Sequence, residues 1–238
     1  MITKRNKRTY ILLLICCFII SGQTISAEKK YSLYIDADFT GSKSSSQSIQ
    51  QGINTALAEV NYEIGGYTFD IITKDHRANS LRSKKNLESY LRDESVLLMF
   101  SGLHSPPLLS NKIFINKKKI LLLDPWAAAG PITRSKLTEN WIFRLSIDDS
   151  NAGAYIVKRA TEEGFKKLYL LLEDTGWGKS NERTMSKALK AQGLNVAGVS
   201  WFNWGLGNNQ AKLILRNIKQ AEADGILFVG NTPEGKTF

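Results

Sequence analysis

The segment Gly230-Asn231-Thr232-Pro233-Glu234-Gly235-Lys236-Thr237 has the spacing of a phosphate-binding loop. In such a loop backbone amides cradle phosphates, the lysine neutralises charge and the threonine holds magnesium. Three features weigh against that chemistry. No helical pattern follows the motif, so no helix dipole stands behind its amides. The motif comes last, not first, in a run of strand and helix patterns. The basic, apolar N-terminus also implies an exported chain, which meets little nucleoside triphosphate. The near-match Gly176-Trp177-Gly178-Lys179-Ser180 is weaker still, because Glu173 stands where the first glycine belongs.

Other catalytic chemistry is thin. The two histidines, His76 and His104, have no metal-ligand spacing around them. There is no Gly-x-Ser-x-Gly nucleophile turn. Asp36, Asp38, Asp174 and Glu234 could meet across a cleft, but a glycosidase pair needs carboxyls ~5–9.5 Å apart. The bland role for such residues is to cap helices and hydrogen-bond loops. An enzyme is therefore not expected, nor a metal or a cofactor.

What remains is a set of loops rich in Trp, Asp, Asn and Gly, and their place follows from the elements around them. Short apolar runs alternate with helix-period segments. Strands are expected at Tyr31–Ile35, Phe69–Thr73, Val96–Phe100, Lys119–Leu123 and Trp141–Leu145, then at Lys167–Leu172, Asn195–Phe202 and Gly225–Val229. Helical spacing marks Ser44–Val60, Ser80–Arg92 with Ser80 as cap, a helix or turn over Leu108–Ile115, and three later segments that include Lys179–Ala191. Strands without polar alternation are buried on both faces, which means parallel sheets covered by helices. Ligands of such sheets bind outside the carboxyl ends of the strands. Those ends carry Asp36–Gly41, Lys74–Arg77, Ser101–Pro106, Asp124–Ala129, Glu173–Gly178, Asn203–Gly205 and Gly230–Gly235. Trp126, Trp177, Trp201 and Trp204 lie in or beside them, as stacking walls would. Asp38 and Trp126 are candidate ligand contacts on this ground.

The formal charge of +10 over 238 residues needs one correction. Residues 1–27 contain Lys4, Arg5, Lys7 and Arg8 and no acid; the rest holds 28 basic and 22 acidic residues. That surplus is ordinary and implies no nucleic-acid partner. The basic start, the apolar run Tyr10–Ile20 and Ile25-Ser26-Ala27 read as an export signal cleaved after Ala27. Both cysteines, Cys16 and Cys17, fall inside it, so the mature chain has no thiol chemistry and no disulfide. The polar stretch Ser146–Ser150 is the best boundary, giving a signal over 1–27, one α/β lobe over 28–146 and a partial second lobe over 147–238.

The ordered series of motifs resembles the periplasmic substrate-binding proteins of the branched-chain amino acid transporter type, a family that also includes short-chain amide sensors. The features that match are the small polar residues after the first strand, Ser101-Gly102-Leu103-His104-Ser105, Asp124-Pro125-Trp126-Ala127-Ala128, the Phe143-Arg144 pair and Asp174-Thr175-Gly176-Trp177-Gly178. The resemblance covers roughly residues 31–235. It implies two Rossmann-like lobes with parallel sheets, the type 1 periplasmic binding fold, closing on a small polar ligand such as an amino acid or amide. It further implies a carboxylate site at Ser105 with helix-terminal amides, amino-group contacts at Ala127 and Ala128, and an aromatic cover at Trp177. Another aromatic position of the family falls on Asn231. Ala128 departs from the pattern, since it has no hydroxyl to offer. The implied partner is the permease of an ABC transporter, or a membrane sensor in the alternative reading, and the implied location is the periplasm or outside the cell. The family continues beyond the point that Phe238 reaches, so the second lobe is expected to be incomplete.

Overall fold

The computed structural model describes residues 29–134 and 138–238. The expected export signal, 1–27, lies outside them.

The first sheet is built on β1 (Lys30–Ala37), whose interior residues are buried. It lies between β3 (Tyr67–Asp75) and β4 (Val96–Ser101), parallel to both. β5 (Leu122–Asp124) and β6 (Ile142–Arg144) extend the parallel array. The far edge holds β2 (Glu63–Ile64), giving the order β2-β3-β1-β4-β5-β6. β2 runs antiparallel to β3 as a hairpin, a departure from the all-parallel expectation. Its cause is local: Gly65 and Gly66 both take positive φ, which lets the chain reverse at once.

Helices α1 (Lys43–Ala58), α2 (Ser80–Tyr90) and α3 (Ser105–Lys118) connect these strands. α2 is capped by Asn79, not Ser80. The Asn79 side chain accepts from the amides of Leu81 and Arg82. α3 runs well beyond the expected Leu108–Ile115, and its end displaces the start of β5. Lys119 sits in a left-handed cap, so β5 begins at Leu122 where a strand from Lys119 was expected. Tyr34, Leu87, Met99, Leu108, Ile115, Ile120 and Leu122 fill one face of the sheet, and Ile35, Ala37 and Ile49 the other.

Helix α4 (Asp149–Glu162) opens the second unit. β7 (Leu168–Glu173), α5 (Gly176–Ala191), β8 (Gly198–Phe202), α6 (Asn208–Gln220), β9 (Gly225–Val229) and the short α7 (Thr232–Gly235) follow. Their parallel sheet has the order β8-β7-β9. Leu168, Leu170 and Leu172 join one core cluster, while Tyr169 and Leu171 join the other. This two-sided burial explains why the Leu-Tyr-Leu-Leu-Leu run shows no polar alternation; each such side chain contributes ~1.5–3 kcal/mol. Burial on both faces does not extend to the edge strand β9, where Ile226 and Phe228 are exposed and Leu227 and Val229 buried.

Asp36 ties α2 to the first sheet. Its carboxylate accepts from Ser83 Oγ at 2.6 Å and Asn86 Nδ2 at 2.7 Å. Burial nevertheless pushes its pKa up to about 7. The folded protein thus keeps a proton that the unfolded chain releases above pH ~4. The stabilisation is complete below that pH and is lost as pH rises to about 7. Relative to Asp36→Asn, the wild type should lose roughly 1–4 kcal/mol between pH 4 and pH 7.5. Urea melts at several pH values read this out as a slope; a constant difference would mean that Asp36 is ionised throughout.

Candidate functional site

The loops after β4 and β5 are drawn together by Asp124, the last residue of β5. Its Oδ1 accepts from Ser101 Oγ (2.9 Å) and from the amides of Ala127 (2.9 Å) and Trp126 (3.3 Å). Burial raises its pKa to about 6 against these bonds. The loop then runs between three helix ends. The Ala129 amide donates to Ser105 Oγ (3.2 Å) and the Gly130 amide to Ser180 Oγ (3.2 Å). The Asp149 amide donates to the Ala128 carbonyl (2.9 Å). The Ser105 hydroxyl proton is left free to donate elsewhere. α3 begins Ser105-Pro106-Pro107, so two amides of its first turn have no N–H to aim at an anion.

The second sheet meets this edge with the ends of β7 and β9. The Asn231 side chain donates through Nδ2 to Glu173 Oε2 at 2.9 Å, across 58 residues of chain. Glu173 is 1% exposed, and burial raises its pKa. Trp177 lies within the first turn of α5, not in a loop, because the helix already starts at Gly176. Its indole N–H donates to Asp149 Oδ1 at 3.3 Å. The crossing into α4 is pinned by Asp148, which pairs with Arg134 at 2.6 Å and Arg144 at 3.3 Å.

Between the two sheets lies a cavity of about 440 Å³. Ser105, Trp126 and Ala128 line it from the first unit, and Glu173, Trp177 and Asn231 from the second. Five of the seven expected contact residues thus share one cavity. Ala127 does not line it: this residue is 1% exposed and part of the first core. Asp38 lines an adjoining recess of about 310 Å³ with Arg77, Trp204 and Glu234. His104 and Asn231 border both spaces. His104 Nε2 stands 3.1 Å from Ser42 Oγ and 3.3 Å from Asp38 Oδ2, and its ring is 5.0 Å from that of Trp204. Burial lowers its pKa despite Asp38, so the imidazole is neutral at pH 7. Trp201 lines neither space and packs against the second core.

Glu173, His104 and Asp149 were not among the expected contacts. Glu173 carried a signal: a carboxylate closing an otherwise apolar strand. Asp149 carried none, because its role depends on a tryptophan 28 residues away.

The phosphate-loop spacing at 230–237 does not form a phosphate loop. A helical turn does follow β9, contrary to expectation, but it begins at Thr232, inside the motif. Only Gly230 and Asn231 separate strand from helix, too few to wrap a phosphate. Lys236 falls at the far end of that turn, its amide bonded to the Thr232 carbonyl.

One family of sequences, the periplasmic binding proteins, matches residues 37–238. The uncharacterized protein MJ1266 of Methanocaldococcus jannaschii is 25% identical over 133 residues, 55% of this chain and 32% of its own length. Among solved structures, a solute-binding protein of an R. palustris ABC transporter, in complex with 4-hydroxybenzoate, aligns with a TM-score of 0.76 at 21% identity, covering 84% of this chain and 54% of its own. A Burkholderia mallei periplasmic binding protein aligns at 0.80 and 17% identity, with coverage of 87% and 55%. A Thermotoga maritima leucine-binding protein aligns at 0.74 and 16%, with coverage of 86% and 57%. The fold is therefore that of the type 1 periplasmic binding proteins, and the chain spans about half the length of the structures it matches.

Proposed function

The chain belongs to the periplasmic binding protein family, and from that premise we propose that it captures a small polar solute between two lobes and delivers it to the permease of an ABC transporter. The observation that carries this reading is the cavity walled from both sheets, with Ser105 and Trp126 on one side and Glu173 and Trp177 on the other. Its position outside the carboxyl ends of parallel strands is where such folds hold ligands. The reading places the lobes at 28–146 and 147–238, with Ser146–Ser150 as the hinge on which they close. It also places the protein outside the cytoplasm, exported by the segment that ends at Ala27. The neighbours bind 4-hydroxybenzoate and leucine, solutes of a size this cavity admits. A binding role, not catalysis, is the one that these residues serve.

The test is a thermal-shift screen of the protein against amino acids, amides, amines and small carboxylic acids. A solute that binds only the folded state raises the midpoint in proportion to RT ln(1 + [L]/Kd). Ser105→Ala should weaken the best solute by ~1–3 kcal/mol in calorimetry, because Ser105 lines the cavity and its hydroxyl, which accepts from Ala129, can still donate to a solute. An unchanged Kd there would assign the contact to backbone groups instead. No shift with any solute class would sink the capture reading.

A further inference from the structure

The walls of the larger cavity also bear on the charge of what it takes, an inference that rests on the capture reading above. Among the described residues that line the cavity there is no lysine or arginine. Its one formal charge is Glu173, almost wholly buried. The first lysine of α5, Lys179, pairs instead with Asp174 on the surface, at 3.2 Å. His104 is a poor source of positive charge here: burial lowers its pKa and Asp38 already engages its Nε2. The adjoining recess adds Asp38 and Glu234, while its Arg77 is engaged by Asp75 at 3.4 Å. The opposite pole is weak in the complementary sense. An anion at the start of α3 would meet Pro106 and Pro107 where two N–H donors would otherwise stand.

Buried carboxylates without a basic neighbour attract a cation, and indole rings favour the same charge. We propose that the solute is a cationic amine lacking a carboxylate, its ammonium group seated between Glu173 and the indoles of Trp126 and Trp177 and its apolar body against Leu103 and Ile147. Asn231, Trp204 and Thr175 hydrogen-bond Glu173 from the protein side, and the roughly four lone-pair sites of a carboxylate leave room for one further donor.

The experiment compares probes of one shape and different charge on the wild-type protein, by calorimetry and tryptophan fluorescence. One series is isopentylamine, isopentanol and isovalerate, with leucine as the amine that keeps its carboxylate. The other is benzylamine, benzyl alcohol and benzoate. In at least one series the amine should bind about tenfold or more tighter than the alcohol, and the acid weakest. Leucine should bind more weakly than isopentylamine. Glu173→Gln should collapse the advantage of the amine over the alcohol. The wild-type ranking does not depend on any variant folding. An acid or leucine that binds as tightly as its matched amine overturns the charge assignment and leaves the capture reading standing. Amines that fail to bind at millimolar concentration overturn it too. Only if the wider screen is also silent does the capture reading fall with it.

Discussion

Gly178→Ala should cost at least about 3 kcal/mol of stability, far more than an ordinary glycine-to-alanine change in a helix. A Cβ at this position would drive into the carbonyl oxygen of Glu173, with the carbonyl carbon 3.0 Å away and the Trp201 ring 3.3 Å away. The obstacle is backbone, which cannot swing aside as a side-chain tip can. Relief would require α5 to lift from the end of β7, moving Trp177 and Glu173 apart. Gly52→Ala supplies the control of opposite sign. It lies within α1 with no atom near the added methyl, and should stabilise by ~0.5–1 kcal/mol through helix propensity. Urea melts of the two variants should bracket the wild type. A Gly178→Ala protein as stable as wild type would mean that α5 does not pack this tightly against the end of β7.

Trp177→Ala should act on both stability and binding. The ring is half-buried and touches the core clusters of both units, so its removal leaves a cavity worth ~2–4 kcal/mol. The variant is thus not the silent fold control that a purely solvent-facing tryptophan would give. If the proposed capture holds, solute affinity should fall by about 100-fold or more, as for an aromatic wall of a binding site. Asp149 loses its only indole donor while its Oδ2 already lacks a partner. Its pKa is raised to about 6 by burial, and losing a donor to the charged form pushes it further up wherever that burial is kept. Trp177→Phe separates the two effects, keeping most of the packing and losing the N–H. Calorimetry with the best solute from the screen provides the measurement. Unchanged affinity in Trp177→Ala would remove Trp177 from the site and leave Glu173 and Asn231 to represent the second unit.

The order of elements was legible along the chain because it is written in near neighbours. Apolar runs such as Leu168–Leu172 announce a strand covered on both sides, and Ile49, Ile53 and Leu57 announce one face of a helix. The carboxyl-end loops follow from that order, and with them Asp38 and Trp126; Ser105, Ala127, Ala128, Trp177 and Asn231 are marked out by the family resemblance. Some local details still escaped. Asn79 outcompetes Ser80 as a cap because its side chain reaches two amides. Trp177 reads as a loop residue between two glycines, yet Thr175 caps the helix before it. Other features are not local at all. Ala127 and Ala128 are adjacent and chemically identical, and the sequence does not distinguish them. The Asp124 carboxylate bonds the Ala127 amide and turns that methyl into the core, leaving Ala128 to the cavity. Glu173 meets Asn231, and Trp177 meets Asp149, only because packing brings distant strand ends together. Periodicity is a property of a few consecutive residues and survives in the sequence. A binding cavity is a property of which segments become neighbours, and that is decided by burying both faces of two sheets at once.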